Sequence, residues 1–106
     1  MDWIKVFEDS ATARKILVND RPQLVIIGER RICFVLHNEK LLAVEDKCSH
    51  NGASLSKGTV NYLGEVVCPL HGNRFNLKTG RESGQHSADI ETYPIKENEE
   101  GVFIGL

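Results

Sequence analysis

Apolar residues in this chain come in short clusters, each closed by charged or turn-forming residues. Residues 4–7, 15–18, 24–27, 32–37 and 41–44 therefore read as strands. The run Ile32-Cys33-Phe34-Val35-Leu36 is apolar without a break and bounded by charge, which predicts a strand buried on both faces. Gly28-Glu29-Arg30 and Asn38-Glu39 are turn sequences, and connections this short favour antiparallel pairing. Residues 47–58 show no period and are rich in Cys, His, Asn, Gly and Ser. A hairpin follows, 59–62 with 65–67, turning at Leu63-Gly64. Then come a second irregular loop at 68–73, strand-like sequence at 74–77 and a turn at Lys78-Thr79-Gly80. Residues 83–89 are polar and read as a loop. Residues 90–96 and 102–106 read as a final hairpin across the acidic connection 97–101. Only residues 10–14 look helical, for one turn at most. The expected fold class is all-β, with an antiparallel sandwich or barrel base and a loop-rich module inserted at about residues 45–80. The whole chain, 1–106, is expected to form one domain.

Composition narrows the function. The 106 residues carry 13 basic and 15 acidic side chains, a net charge of −2, with no basic run, which speaks against nucleic acid as a partner. No apolar run approaches the roughly 20 residues that a membrane-spanning helix needs, and the N-terminus lacks the pattern of a signal peptide. Three cysteines are an odd number and cannot form a complete disulfide framework. A reducing compartment, the cytoplasm, is the expected location.

The candidate chemistry lies in the two irregular loops. One contains Cys48-Ser49-His50 and the other Cys68-Pro69-Leu70-His71. Each pairs a soft thiolate with an imidazole, a donor set that suits an iron–sulfur cluster or zinc. The hairpin between them can bring their tips together. A tetrahedral zinc site would use the same four donors, so spacing alone leaves both metals open.

The pattern Cys48-x-His50 followed by Cys68-Pro69-x-His71-Gly72 resembles the Rieske signature, and Phe75, Thr79-Gly80 and Tyr93-Pro94-Ile95 extend the resemblance. The resemblance implies one [2Fe–2S] cluster, with Cys48 and Cys68 on one iron and His50 and His71 on the other. Two thiolates instead of four make the cluster less negative and easier to reduce. The length is that of the stand-alone Rieske ferredoxins of ring-hydroxylating dioxygenase systems. The implied function is a soluble one-electron carrier that is not catalytic alone, with a flavin-dependent reductase as donor and an oxygenase or similar acceptor. A small subunit of a larger, nitrite reductase-like enzyme and a zinc-binding structural module are the alternatives. An oxygenase fragment is excluded, because a mononuclear iron site needs further ligands and the remaining His37 and His86 lie in separate segments.

High-potential Rieske relatives tie their loops with a disulfide, at positions that are Ala53 and Leu70 here. They also place hydroxyl donors where this chain has Asn73 and Phe75. The expected potential is therefore at the low end of the range, nearer about −150 than +300 mV. The third loop, Glu82 to Asp89, lacks the proline common in relatives, so it is expected to cover the cluster less rigidly. Cys33 is expected in the core, His37 on the surface, His86 in a solvated loop, and Trp3 packed on a terminal strand. The acidic turn 97–100 is expected to be solvated. The partner is expected to dock on Asn51, Gly52, Pro69, Leu70, Gly72 and the loop around His86.

Overall fold

The unbroken apolar run from Ile32 to Leu36 is buried because it separates two cores. It belongs to β3 (Arg30–His37), an inner strand of a four-stranded sheet ordered β2 (Gln23–Ile27), β3, β4 (Lys40–Glu45) and β8 (Thr92–Tyr93), all neighbours antiparallel. Successive side chains of a strand point to opposite faces. Cys33 and Val35 join a cluster with Leu55, Val66, Phe75 and Leu77. Ile32, Phe34 and Leu36 join the other, with Ala13, Leu17, Val102 and Ile104. The structure, a computed structural model, describes residues 1–106.

A second antiparallel sheet, ordered β1 (Trp3–Phe7), β10 (Gly101–Gly105) and β9 (Ile95–Asn98), closes the base. The third sheet lies within the expected insertion: β5 (Thr59–Val60), β6 (Glu65–Val67) and β7 (Arg74–Asn76), again antiparallel. It packs on the Cys33 face of β3 and carries both candidate loops. Leu55–Lys57 forms one 3₁₀ turn beneath the first of them. The all-β antiparallel class expected from sequence is thus the class observed. No helix is long and apolar enough to cross a membrane.

Three local expectations need correction. Residues 15–18 are not a strand; helix α1 spans Ser10–Ile16, longer than the single turn expected. Asp9 caps it by accepting from the Thr12 N–H at 2.6 Å. Ala13 and Leu17, four apart, are its buried contacts, while Ile16 and Val18 stay exposed. Residues 90–96 are not one strand either. Tyr93 pairs with β4 and Ile95 with β10, so the chain changes sheet at Pro94, which has no N–H to continue a ladder. His37 is not a free surface residue: its ring is mostly buried and its Nδ1 meets the Asp20 carboxylate at 2.5 Å. Asn38 and Glu39 do form the expected β3–β4 turn, both in the left-handed region that a two-residue hairpin requires.

Candidate metal centre

Two loops with the same backbone frame build the site. In the first, the Cys48 N–H donates to the Ala53 carbonyl (2.9 Å), and the Gly52 N–H donates back to the Cys48 carbonyl (2.7 Å). In the second, the Cys68 N–H donates to Asn73 (2.8 Å) and the Gly72 N–H to Cys68 (3.1 Å). Gly52 and Gly72 occupy the same place in each loop, with φ of 77° and 74°. A side chain there would be strained, so glycine sets how sharply each loop turns. Within each loop two further amides face the sulfur: those of His50 and Asn51 on Cys48, and those of Leu70 and His71 on Cys68.

This frame sorts the four candidate residues by depth. Cys48 and Cys68 are buried, at 0% and 1% exposure, in the core shared with Phe75 and Leu77. His50 and His71 are exposed, with ring centroids 5.8 Å apart and planes nearly perpendicular, at 88°. The structure therefore places the two thiols beside each other in the core and the two imidazoles beside each other at the rim. No three Cys, His, Asp or Glu side chains are grouped closely enough to share one metal ion.

Burial pushes the Cys48 thiol up, and the neighbouring Cys68 adds to it. At Cys68 burial acts the same way but is outweighed by N–H donors from Leu70 and the Asn51 side chain and by the Cys48 thiol, so its thiol is lowered. Amide donors aimed at sulfur favour the thiolate, the form that binds metal. Cys33 is completely buried nearby and its thiol is pushed far up by burial and by the negative charge of Asp46, as befits a core residue.

Two buried carboxylates brace the loops. Asp46, two residues before Cys48, has a fully buried side chain. It accepts from Ser54 Oγ (2.5 Å) and the Ser56 N–H (2.6 Å), and so closes the base of the first loop. Glu82 starts the third loop and accepts from the N–H groups of Gly84 (2.5 Å) and His86 (2.8 Å). Those two amides, Gly84 first, hold its carboxyl below the ordinary range. Ser49 Oγ then donates to the Ala88 carbonyl (2.5 Å), fastening the third loop to the first. The proline-free loop is thus organised by a carboxylate. Sequence reasoning missed Asp46 and Glu82; the serines following Asp46 and the glycine following Glu82 were the available hints.

The surface around the imidazoles is largely as expected. Gly52, Pro69, Leu70, Gly72 and His86 are exposed, and His86 shares a shallow hollow with His71, Gly72 and Glu82. Asn51 departs from expectation: it is half-buried, with its side chain turned towards the Cys68 sulfur. The acidic turn is not wholly free, since Glu97 takes Arg14 at 2.8 Å and Ser10 at 2.7 Å. Trp3 lies partly exposed beneath the Lys96 ammonium, 4.6 Å from its ring.

A two-sheet β base carrying a third, smaller sheet with two Cys–His loops of matched frame defines a metal-binding β protein. Residues 2–94 match the Rieske [2Fe–2S] domain, and the chain belongs to that family. Among curated relatives, the chain is similar to the 3-phenylpropionate/cinnamic acid dioxygenase ferredoxin subunit of Shigella boydii serotype 4 (strain Sb227). The two are 40% identical over 65 residues, 60% of this chain and 61% of that subunit, so the alignment spans about three fifths of the relative. Among solved structures, the fold matches a protein in the complex of reduced oxygenase and oxidised ferredoxin of carbazole 1,9a-dioxygenase. The TM-score is 0.80 at 24% identity, covering 96% of this chain and 100% of that one. It also matches the "putative NADH-dependent nitrite reductase small subunit" from Mycobacterium tuberculosis, with a TM-score of 0.80 at 18% identity over 97% and 92% of the two chains.

Proposed function

We propose that this chain is a one-electron carrier whose single [2Fe–2S] cluster is held by Cys48, His50, Cys68 and His71. The observation that carries the reading is the pair of matched loops, which offers two buried thiols and two exposed imidazoles at one end of the small sheet. The donor set fits the group. Thiolates that accept amide N–H donors suit one iron, and exposed imidazoles suit the other. A binuclear centre needs only two protein ligands per iron, and the chain offers its donors as a pair of thiols and a pair of imidazoles. When bound, such a cluster takes up and releases one electron. The chain's part is to bury the thiol side in the Phe75 core and leave the histidine side at the surface, where an acceptor can approach.

The domain is read as one unit over 1–106, with the metal-binding module at about 45–80, working in the cytoplasm. The partners are a flavin-dependent reductase as donor and an oxygenase as acceptor. The ferredoxin-subunit relatives support this assignment. The nitrite reductase-type neighbour keeps one alternative acceptor in view.

Protein made with ample iron should be red-brown, carry two irons and two sulfides per chain, and become paramagnetic on one-electron reduction. Cys48→Ser, Cys68→Ser, His50→Ala and His71→Ala should each lose or degrade the centre. A colourless protein holding one zinc, or a cluster that survives loss of one of the cysteines, would overturn the assignment.

A further inference from the structure

The two loops share a frame but not a spacing, and the difference leaves one side chain over. The third residue after Cys68 is the proposed ligand His71. The third residue after Cys48 is Asn51, because the histidine of the first loop comes one position earlier. The Asn51 side chain reaches across to the opposite loop. Its Nδ2 lies 3.6 Å from Cys68 Sγ. Its Oδ1 accepts from the Ala53 N–H at 2.9 Å, which fixes which end of the amide is oxygen. Oδ1 is also 3.6 Å from the same sulfur, but a metal-bound thiolate has no proton to give it. In the metal-loaded protein only the Nδ2–H contact is attractive.

We propose that Asn51 is a positioning residue that raises the electron affinity of the centre, by donating its side-chain N–H across the loops to the Cys68 sulfur. The proposal rests on the four-ligand reading above. Each sulfur already faces two amides of its own loop. The Asn51 amide gives Cys68 a further donor from outside its loop. A donor on a thiolate withdraws negative charge from the iron and favours the reduced, more negative state. The same amide also links the two loops, which have no disulfide between them.

Two variants separate tuning from scaffolding. Asn51→Asp keeps an oxygen for the Ala53 N–H but turns the donor into a negatively charged oxygen. Asn51→Ala removes both contacts. Midpoint potentials are measured by voltammetry on purified protein, with iron and sulfide assayed for each variant. Asn51→Ala should lower the reduction equilibrium constant about tenfold, or about 59 mV for one electron, and Asn51→Asp should lower it further. Unchanged potentials, or a fall in Asn51→Ala without one in Asn51→Asp, would refute the donor role. Loss of iron from both variants with the β fold intact by circular dichroism would make Asn51 a loop tie alone, and would also refute it. An iron-free parent protein would instead sink the four-ligand reading itself.

Discussion

Replacing Asp46 with alanine should destabilise the protein by about 3 kcal/mol, because the carboxylate is the buried keystone of the first loop. Its side chain is inaccessible to solvent and accepts two short hydrogen bonds, from Ser54 Oγ and the Ser56 N–H. A hydrogen bond to a charged group contributes about 1.5–3 kcal/mol net, and a buried donor left without its acceptor costs about 1–3. The Arg31 contact, at 3.5 Å on a half-exposed guanidinium, adds little. Ser54 retains a second partner in Ser56 Oγ at 2.9 Å, and relief of carboxylate desolvation offsets part of the loss. Together these terms leave a loss near 3 kcal/mol. Asp46→Asn keeps an acceptor for one donor and should cost roughly half as much. Urea denaturation followed by far-UV circular dichroism measures both. With a slope of about 1–3 kcal/mol/M, Asp46→Ala should move the midpoint down by about 1–3 M and leave the slope unchanged. A loss below about 0.5 kcal/mol, the range of an ordinary surface substitution, would show that Asp46 does not hold the loop.

The Glu82 carboxyl is depressed in the folded protein, so its hold on the third loop is fully present above the ordinary glutamate range and is lost as pH falls through the lowered value. Hydrogen exchange at the Gly84 and His86 amides should therefore lose protection on acidification, and Glu82→Gln should remove that pH dependence; equal protection at all pH values would contradict the arrangement. Cys33→Ser should keep the cluster and cost about 1–3 kcal/mol for burying an unpaired hydroxyl, read by denaturation alongside the visible spectrum; a bleached variant would count against Cys33 as mere core. Leu70→Glu, at an apolar side chain 63% exposed between the proposed ligands Cys68 and His71, should slow electron delivery to an oxygenase acceptor without altering the cluster spectrum. Equal rates in stopped-flow mixing would place docking elsewhere.

The sequence displayed most clearly what depends on local pattern. The doubly buried strand at 32–36 was legible because its two faces serve two cores, and both need apolar side chains. The two candidate Cys–His pairs stood out because metal chemistry demands particular residue types at short spacing. What failed depended on partners distant in sequence. Residues 15–18 look like a strand, yet the Asp9 cap and the need to cover Phe34 and Ile104 with Ala13 and Leu17 make the segment helical. Pro94 was visible, but nothing local shows that the strands on its two sides join different sheets. His37 is withdrawn from the surface by Asp20, and Glu97 is engaged by Arg14, 83 positions away. Asp46 and Glu82 looked like ordinary surface acids, because a carboxylate is distinguished only by the donors that fold around it.

The pairing of β1 with β10 also has a bearing on how the chain acquires its metal. Trp3 lies opposite Gly105, and Asp2 exchanges both backbone hydrogen bonds with Leu106. These contacts join residues about 100 positions apart, the kind of closure that slows folding. The cysteine loops, by contrast, close over a few residues and are joined by a short hairpin, which forms in microseconds. During refolding, the thiols should therefore assemble well before the base sheet seals. For that interval the cysteine loops sit on the Cys33 face of β3 while the opposite face, which Val102 and Ile104 cover, is still open. Metal uptake should thus be separable from closure of the base, and weakening the pairing of β1 with β10 should cost stability before it costs the metal.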